Sequence, residues 1–327
     1  MKTAFILLTA IAISSNALAI DIKKKGFSMT PNSQTADSLL QEADSTFQNR
    51  DSRTAIAQYE SALEEARKEF NPSIEVEALS QLARMYLSLG EKEVGRPWLG
   101  EAAQKARESD PMGWSRYLGV KGRYEWKDSS LTDSRATFGR LFDFCVSNLL
   151  WGRAVDAANM LAIVSDSTND AIMWSRKGIE VAESSGTESW LGPLWNNLAG
   201  TYFEQKQFDS ALECYIQARE YHWRFSHETA KLFADYHVGM TLRWLGKYGE
   251  AASWLRPVLA WAERLDNHGA IGQACEDLGE IEVAQGQQSK GLDYLKRARN
   301  EYKLAGYDTS RSDIWTNINS RITALGG

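Results

Sequence analysis

The feature that most constrains the fold is a column of small residues that recurs along the chain at a period of about 40 residues. The column comprises Ala55, Gly95, Ala171, Ala211, Ala251 and Gly291. Successive members stand one period apart, except that the step from Gly95 to Ala171 falls four positions short of two periods. Because small side chains at a fixed period let neighbouring helices pack closely, we expect repeated helical units of one kind.

The stretch from Trp195 to Ala218 is the clearest copy of this unit. Its first part places apolar residues at i, i+3, i+4 and i+7, one stripe of a helix: Trp195, Leu198, Ala199 and Tyr202. A polar turn follows, and then a second stripe formed by Ala211, Tyr215 and Ala218. Three other units carry a glycine at the corresponding turn, namely Gly90, Gly246 and Gly286. The pattern predicts a helix-turn-helix unit.

The spacing W-x2-L-(small)-x2-Y, followed by A-x3-(aromatic)-x2-A, resembles the tetratricopeptide repeat. Two features depart from that family: the period is about 40 residues instead of about 34, and the closing proline is missing. HEAT and armadillo repeats, which also have a period of about 40 residues, are the alternative. The resemblance implies an all-α, right-handed superhelical solenoid of about seven helix pairs. Residues 111–151 fit this register poorly, and we expect an irregular repeat there.

The last residues, 311–325, predict a terminal helix that covers the final repeat. Ser312 or Asp313 is expected to cap its N-terminus, since both side chains can accept a hydrogen bond from a free backbone N–H. Its apolar face is formed by Ile314, Trp315, Ile318 and Ile322. A recurring aromatic in the second helices, at Trp98, Trp174 and Trp254, is interpreted as packing between repeats.

The N-terminal residues are typical of a secretory signal. Lys2 precedes a short apolar run, and the segment ends in Ala17-Leu18-Ala19. Residues 1–19 are therefore predicted to be a signal peptide cleaved near Ala19, which makes the protein exported, to a periplasm or the outside. A membrane anchor is the alternative, but the run is short for a membrane span, and stable membrane insertion is not expected. Residues 20–34 are expected to be a flexible lead-in, and 35–327 the repeat domain.

Composition narrows the class of partner. The formal net charge is −6, and an acidic chain argues against nucleic-acid binding. Cys145, Cys214 and Cys275 are too few for a disulfide scaffold and are interpreted as buried small apolar residues. No motif of a metal site, a nucleophile elbow or a phosphate loop occurs, and no metal or cofactor is predicted.

The family resemblance implies that a peptide or protein partner binds along the concave groove, which the first helix of each pair lines. In the last three units the groove positions include Asn196, Phe203, Phe233, Tyr236, Met240, Arg243, Glu276 and Glu280. Upstream units contribute Phe47, Arg84, Leu87, Arg153, Met160 and Ile163. Exposed aromatic side chains beside an arginine suit peptide anchoring. The predicted function is a non-enzymatic scaffold or adaptor.

Two other functions stay open. Long helical repeats can enclose a pocket, and 12 Trp and 12 Tyr would suit an apolar or sugar ligand that stacks on them. An enzyme using Glu276 and Glu280 as an acid/base pair is the third possibility. These two glutamates stand at i and i+4, a spacing more typical of a solvated helix face.

Overall fold

The computed structural model describes residues 35–48 and 51–327, so the predicted signal peptide and lead-in lie outside the described residues. The described ranges contain sixteen α-helices, a short 3-10 helix (Glu188–Trp190) and no strand. The α-helices are α1 (Ala36–Gln48), α2 (Ser52–Lys68), α3 (Pro72–Ser88), α4 (Lys92–Lys105), α5 (Pro111–Lys127), α6 (Leu131–Ser147), α7 (Trp151–Ile163), α8 (Thr168–Ser184), α9 (Leu191–Glu204), α10 (Phe208–Phe225), α11 (Glu228–Trp244), α12 (Tyr248–Arg264), α13 (His268–Ala284), α14 (Gln288–Leu304), α15 (Tyr307–Ser310) and α16 (Ser312–Ala324). The all-α prediction is confirmed.

The helices form two compact units. The N-terminal unit holds α1 to α8 and ends at Leu194, and the C-terminal unit runs from Trp195 to Gly327. In the first unit α1 packs on α2, α3 on α4, α5 on α6 and α7 on α8. In the second, α11 packs on α12 and α13 on α14. With α9 and α10 these make the expected seven helix pairs, and α16 follows them as the cap.

The small-residue column lies where helices approach closely. Ala55, Ala211 and Ala251 are fully buried. A Cβ built on Gly95 would lie 2.9 Å from the Ala83 carbonyl oxygen, and one on Gly291 would lie 2.9 Å from the Gly279 carbonyl oxygen. Only glycine leaves room for these two backbone contacts, which explains why glycine replaces alanine in the column.

The irregular register at 111–151 has a local cause. The missing member of the column is Ser134 in α6, which is fully buried. It follows Gly95 by 39 residues and precedes Ala171 by 37 residues, whereas a full period is about 40. The α5/α6 pair itself is regular, with two helices of 17 residues. The next helix, α7, has 13 residues, whereas α11 and α13 have 17. This shorter α7 accounts for most of the deficit.

The predicted glycine turns are confirmed. Gly90, Gly246 and Gly286 have φ values of +81°, +73° and +80°, the left-handed conformation that ends a helix. The turns of two other pairs adopt the same conformation without glycine, at Ser129 (φ +63°) and Lys206 (φ +58°). The geometry of the turn is therefore kept where the sequence signal for it is absent.

The capping helix is confirmed, but its predicted cap residues are wrong. Helix α16 packs on α14 and buries Ile318 and Ile322. The N-cap is Arg311, which makes no side-chain cap hydrogen bond, because Ser312 and Asp313 already lie in the first turn. A four-residue helix, α15, precedes it and was not predicted from the sequence.

The cysteines and the aromatic column are placed as expected. All three cysteines are buried, and none is in a disulfide. Burial raises the pKa of Cys145 to about 12 and that of Cys275 to about 11, which keeps these thiols protonated and poorly nucleophilic. Trp98 packs against the core of the N-terminal unit, and Trp174 meets the Phe142 ring edge-on at 5.3 Å. None of the helices in the described ranges is long and apolar enough to cross a membrane.

Candidate interaction surfaces

The eight predicted groove residues lie on the first helices of three consecutive pairs. Asn196 and Phe203 belong to α9, Glu276 and Glu280 belong to α13, and the others belong to α11. Helix α11 contacts α13, so residues from these two helices meet side by side. The sequence register therefore identified positions that lie next to one another within the C-terminal unit. The side chains at these positions differ in burial and in the partners that they contact.

At the centre of this set is a buried ion pair. Arg243 Nε donates a hydrogen bond to Asp277 Oδ1, and Asp277 is 3% exposed. Burial raises the pKa of Asp277 above its usual value, although Arg243 opposes the shift. Tyr236 lies beside Asp277 and is only 8% exposed, so the expectation that its ring is open to a partner is wrong. Its side chain is hydrogen-bonded to Asp277 and therefore belongs to the buried ion pair.

The two glutamates of α13 are engaged by different neighbours. The Tyr302 hydroxyl donates to Glu276 Oε2 at 2.6 Å. Burial raises the pKa of Glu276 to about 7, partly opposed by that hydrogen bond. Glu280 accepts from Arg321 of the capping helix, with Nε 2.7 Å from Oε1. The helical spacing alone suggested a solvated pair, but one carboxyl is largely buried and the other is ion-paired.

Asn196 takes part in a second buried contact. Its Oδ1 lies 2.9 Å from His237 Nδ1, which donates when the neutral ring carries its hydrogen there. The His237 ring stacks on Tyr215 with centroids 4.9 Å apart. Burial lowers the pKa of His237 to about 3, so the ring stays neutral at physiological pH. This histidine is a packed, hydrogen-bonded core residue.

An aromatic cluster of Phe203, Phe208 and Trp244 lies next to the predicted groove positions. Phe208 and Trp244 stack with centroids 5.5 Å apart, and Phe203 meets both rings edge-on. Trp244 is 50% exposed, and the Arg243 guanidinium lies 4.8 Å from its ring centroid. Sequence reasoning found Phe203 and Arg243 but missed Phe208 and Trp244, which stand at helix ends outside the repeat stripes.

The N-terminal unit carries a denser polar network on its first helices, α1, α3, α5 and α7. Glu77 is 2% exposed and accepts from Arg116 Nε at 3.0 Å and from Arg153 Nη2 at 2.5 Å. Arg116 Nη2 also donates to Asp44 Oδ2 at 3.0 Å, and the Tyr59 hydroxyl donates to Asp44 Oδ1 at 2.5 Å. Burial raises the pKa of Glu77, but the two arginines outweigh it and hold the pKa below its usual value.

One to two helical turns further along the same helices lies a second group. Arg123 Nη2 donates to both carboxylate oxygens of Asp156, at 2.7 and 2.8 Å. The Arg84 guanidinium lies over the Phe47 ring, 5.1 Å from its centroid. The sequence register named Arg84, Phe47 and Arg153, but it missed the acids. A usable signal was present, since Glu77 and Arg116 carry opposite charges and stand 39 residues apart, close to one repeat period.

A shallow cavity and a possible metal site are the other candidates for ligand binding, and both have less structural support. A shallow cavity of about 400 Å³ lies at the turns of the last repeats, lined by Leu265, Asp266, Asn267, His268, Gly269, Ala305 and Tyr307. Tyr307 is the one tyrosine or tryptophan in that lining, so this cavity is not the aromatic-lined pocket considered from the sequence. Within the described ranges, no group of three or more His, Cys, Asp or Glu residues could hold a metal ion.

Comparison with known proteins agrees with the repeat pattern. The sequence model of the tetratricopeptide repeat matches residues 196–222, the unit that is clearest in the sequence. The structure is similar to a signal transduction ATPase with numerous domains (STAND) from Pyrococcus horikoshii, described as having a tetratricopeptide repeat sensor. The TM-score is 0.70 at 13% identity, over 86% of this chain and 44% of that one, so this chain spans less than half of the STAND protein.

Two further structures match over most of both chains. The apo form of RapI gives a TM-score of 0.66 at 12% identity, over 88% of this chain and 86% of that one. A Rap protein complexed with Competence and Sporulation Factor gives 0.56 at 13% identity, over 89% and 87%. Comparison with curated protein sequences gives no significant match. The chain therefore contains a tetratricopeptide repeat at residues 196–222, and its fold is similar to that of a tetratricopeptide-repeat sensor, here with a longer repeat than the usual one.

Proposed function

We propose that this chain is a non-enzymatic scaffold that holds a peptide or protein partner on the first helices of its repeats. The observation that carries the proposal is the aromatic cluster of the C-terminal unit, where half-exposed Trp244 is backed by Phe208 and Phe203 and flanked by Arg243. Tryptophan and arginine dominate binding energy at protein interfaces, and a rigid stacked ring loses little conformational entropy when it binds.

Burial and ion pairing decide which of the predicted residues are suitable probes of the proposal. Tyr236 is buried and Arg243 is ion-paired to Asp277, so substituting either residue would disturb the fold as well as the surface. Trp244 is the better probe because half of its surface is already in solvent. The likeness to a Rap protein solved with Competence and Sporulation Factor supports the proposal by fold analogy alone.

The test is crosslinking capture from the exported fraction with the mature protein, which we propose begins at Ile20 after signal cleavage; N-terminal sequencing checks that start. Trp244→Ala is compared with Trp223→Ala, since Trp223 is 43% exposed and lies against Trp261, outside the cluster, with ring centroids 5.8 Å apart. We expect a reproducible partner that wild type and Trp223→Ala retain and Trp244→Ala loses. A purified partner that binds Trp244→Ala with unchanged affinity would refute the placement, and repeated capture of nothing would refute the function.

A further inference from the structure

A row of stacked side chains connects two consecutive second helices, α10 and α12. This row, the indole ladder, consists of Trp254, Arg219, Trp223 and Trp261. The Arg219 guanidinium lies 5.1 Å from the Trp223 ring centroid and 5.0 Å from that of Trp254. The Trp223 and Trp261 rings follow with centroids 5.8 Å apart. The two residues from each helix stand four or seven positions apart, so they lie on one helix face. The ladder shares no residue with the aromatic cluster of the proposed partner site.

Two carboxylates of α11 hold the ladder in place. Asp235 Oδ1 accepts a hydrogen bond from Arg219 Nε at 2.6 Å and from Trp223 Nε1 at 2.9 Å. Glu228 Oε1 accepts from Trp261 Nε1 at 2.7 Å. Rings that are fixed in this way lose little conformational entropy when a ligand stacks on them. Since an indole has only one N–H, neither of these two rings has a free donor for a ligand such as a peptide carbonyl.

Part of the ladder is open to solvent. Trp223 is 43% exposed although it contacts both a cation and another ring. Ile216 is 49% exposed and precedes Trp223 by seven positions, on the same face of α10. Trp254 and Trp261 are half-buried. Single exposed apolar residues are ordinary, but an adjoining group of them marks a binding surface.

The charges around the ladder cancel. In the described part of the chain, the charged groups in contact with its rings are two cations, Arg219 and Lys231, and two carboxylates, Asp235 and Glu228. A cationic ligand is disfavoured because Arg219 and Lys231 already lie over the Trp223 ring. An anion would meet the two carboxylates. The surface therefore fits a neutral ligand that presents apolar groups to the ring and polar groups around it.

We propose that the indole ladder is a binding site for a neutral oligosaccharide, with one sugar ring stacked on Trp223. A β-linked hexose with equatorial hydroxyls has a flat face of C–H groups for the indole and a rim of hydroxyls that donate and accept hydrogen bonds. The remaining lone pairs of Asp235 and Glu228 can accept from these hydroxyls, and the Lys231 ammonium can donate to them. The site is additional to the partner site of the proposed function and does not depend on it.

The test compares three probes at one pH, low enough to charge the amines of the last of them: cellotetraose, acetyl-tetraproline amide and the β-linked tetramer of glucosamine. Their binding is located through the Nε1–H NMR signal of Trp223, which is assigned by its loss in Trp223→Phe. Affinities are measured by isothermal titration calorimetry. We expect cellotetraose to shift the Trp223 signal saturably and the other two probes to bind at least about tenfold more weakly, because they lack either the flat polar-rimmed ring or the neutral charge.

Three variants sharpen the result. Trp223→Ala should bind cellotetraose about tenfold more weakly, since it removes the stacked ring. Trp223→Phe should keep most of the affinity, because it retains a ring and loses only an N–H that Asp235 already uses. Trp126→Ala is the matched control and should bind like wild type. Trp126 is also half-buried and has the Lys127 ammonium 4.2 Å from its ring centroid, but it lies in the N-terminal unit. The remaining indole signals report whether each variant is folded.

Three outcomes overturn the inference. If cellotetraose does not move the Trp223 signal, or if Trp223→Ala binds it as tightly as wild type does, the ladder is not a sugar site. If acetyl-tetraproline amide binds at Trp223 more tightly than cellotetraose, the ladder is a surface for a polypeptide instead. The scaffold function is judged separately, by protein capture with Trp244→Ala, so either proposal can stand while the other falls.

Discussion

Replacing Glu77 by glutamine removes the one carboxylate that two largely buried arginines share. Arg116 and Arg153 are 18% and 15% exposed in their side chains, and Glu77 is 3% exposed. Glutamine keeps the shape of the side chain but not its charge. Arg116 would still be paired with Asp44, whereas Arg153 would keep only uncharged acceptors: the Met112 carbonyl, the Ser115 hydroxyl and the amide oxygen of the introduced glutamine.

The expected loss of stability comes from the buried charge of Arg153, which would no longer have an ion-pair partner. Breaking a buried pair by removing one partner costs about 3–5 kcal/mol, because the remaining charge stays desolvated. Two unit charges about 4 Å apart interact by ~4 kcal/mol at an effective dielectric constant of 20, which gives the same order. Since Arg116 keeps Asp44, the loss is concentrated on Arg153, and we expect Glu77→Gln to lower the free energy of unfolding by about 3 kcal/mol.

The assay is urea unfolding followed by circular dichroism, with hydrogen exchange to locate the loss in α3, α5 and α7. Glu108→Gln is the control, because its pair with Arg140 is exposed and should contribute less than about 1 kcal/mol. Adding Arg153→Met to Glu77→Gln should recover part of the stability, because it removes the buried guanidinium that has lost its carboxylate. A Glu77→Gln effect no larger than that of Glu108→Gln would refute this account of the network.

The remaining predictions concern one carboxyl and two glycines. Because the folded-state pKa of Glu276 is about 7, above its unfolded value, its contribution to stability is present at low pH and is lost as pH rises through 7. Glu276→Gln should therefore raise the free energy of unfolding at pH 8 by about 2 kcal/mol and leave it nearly unchanged at pH 4, measured by urea unfolding at both values. Gly122→Ala should lower the melting temperature, because its Cβ would lie 2.8 Å from the Phe138 ring; Gly139→Ala, with nothing within 4 Å, should raise it by removing the ~1 kcal/mol helix penalty of glycine. If Gly122→Ala and Gly139→Ala changed the melting temperature equally, the packing argument would be contradicted. If the effect of Glu276→Gln on the free energy of unfolding did not depend on pH, the raised pKa of Glu276 would be contradicted.

The sequence by itself determined the repeat architecture. Apolar stripes at helical spacing predicted the first and second helices of each pair, and the glycines at 90, 246 and 286 predicted their turns. These features are local or strictly periodic, so they are written into the order of residues. The same register placed the groove positions on α9, α11 and α13, although it could not say which of them face solvent.

Tertiary structure decided the chemistry of the surfaces. Tyr236 matches the pattern of an exposed groove residue, yet it is buried, because the rotation of each helix about its axis depends on how neighbouring pairs pack. The partners of Arg116 and Arg153 lie on other helices, 39 and 76 residues away at Glu77, and no local pattern pairs them.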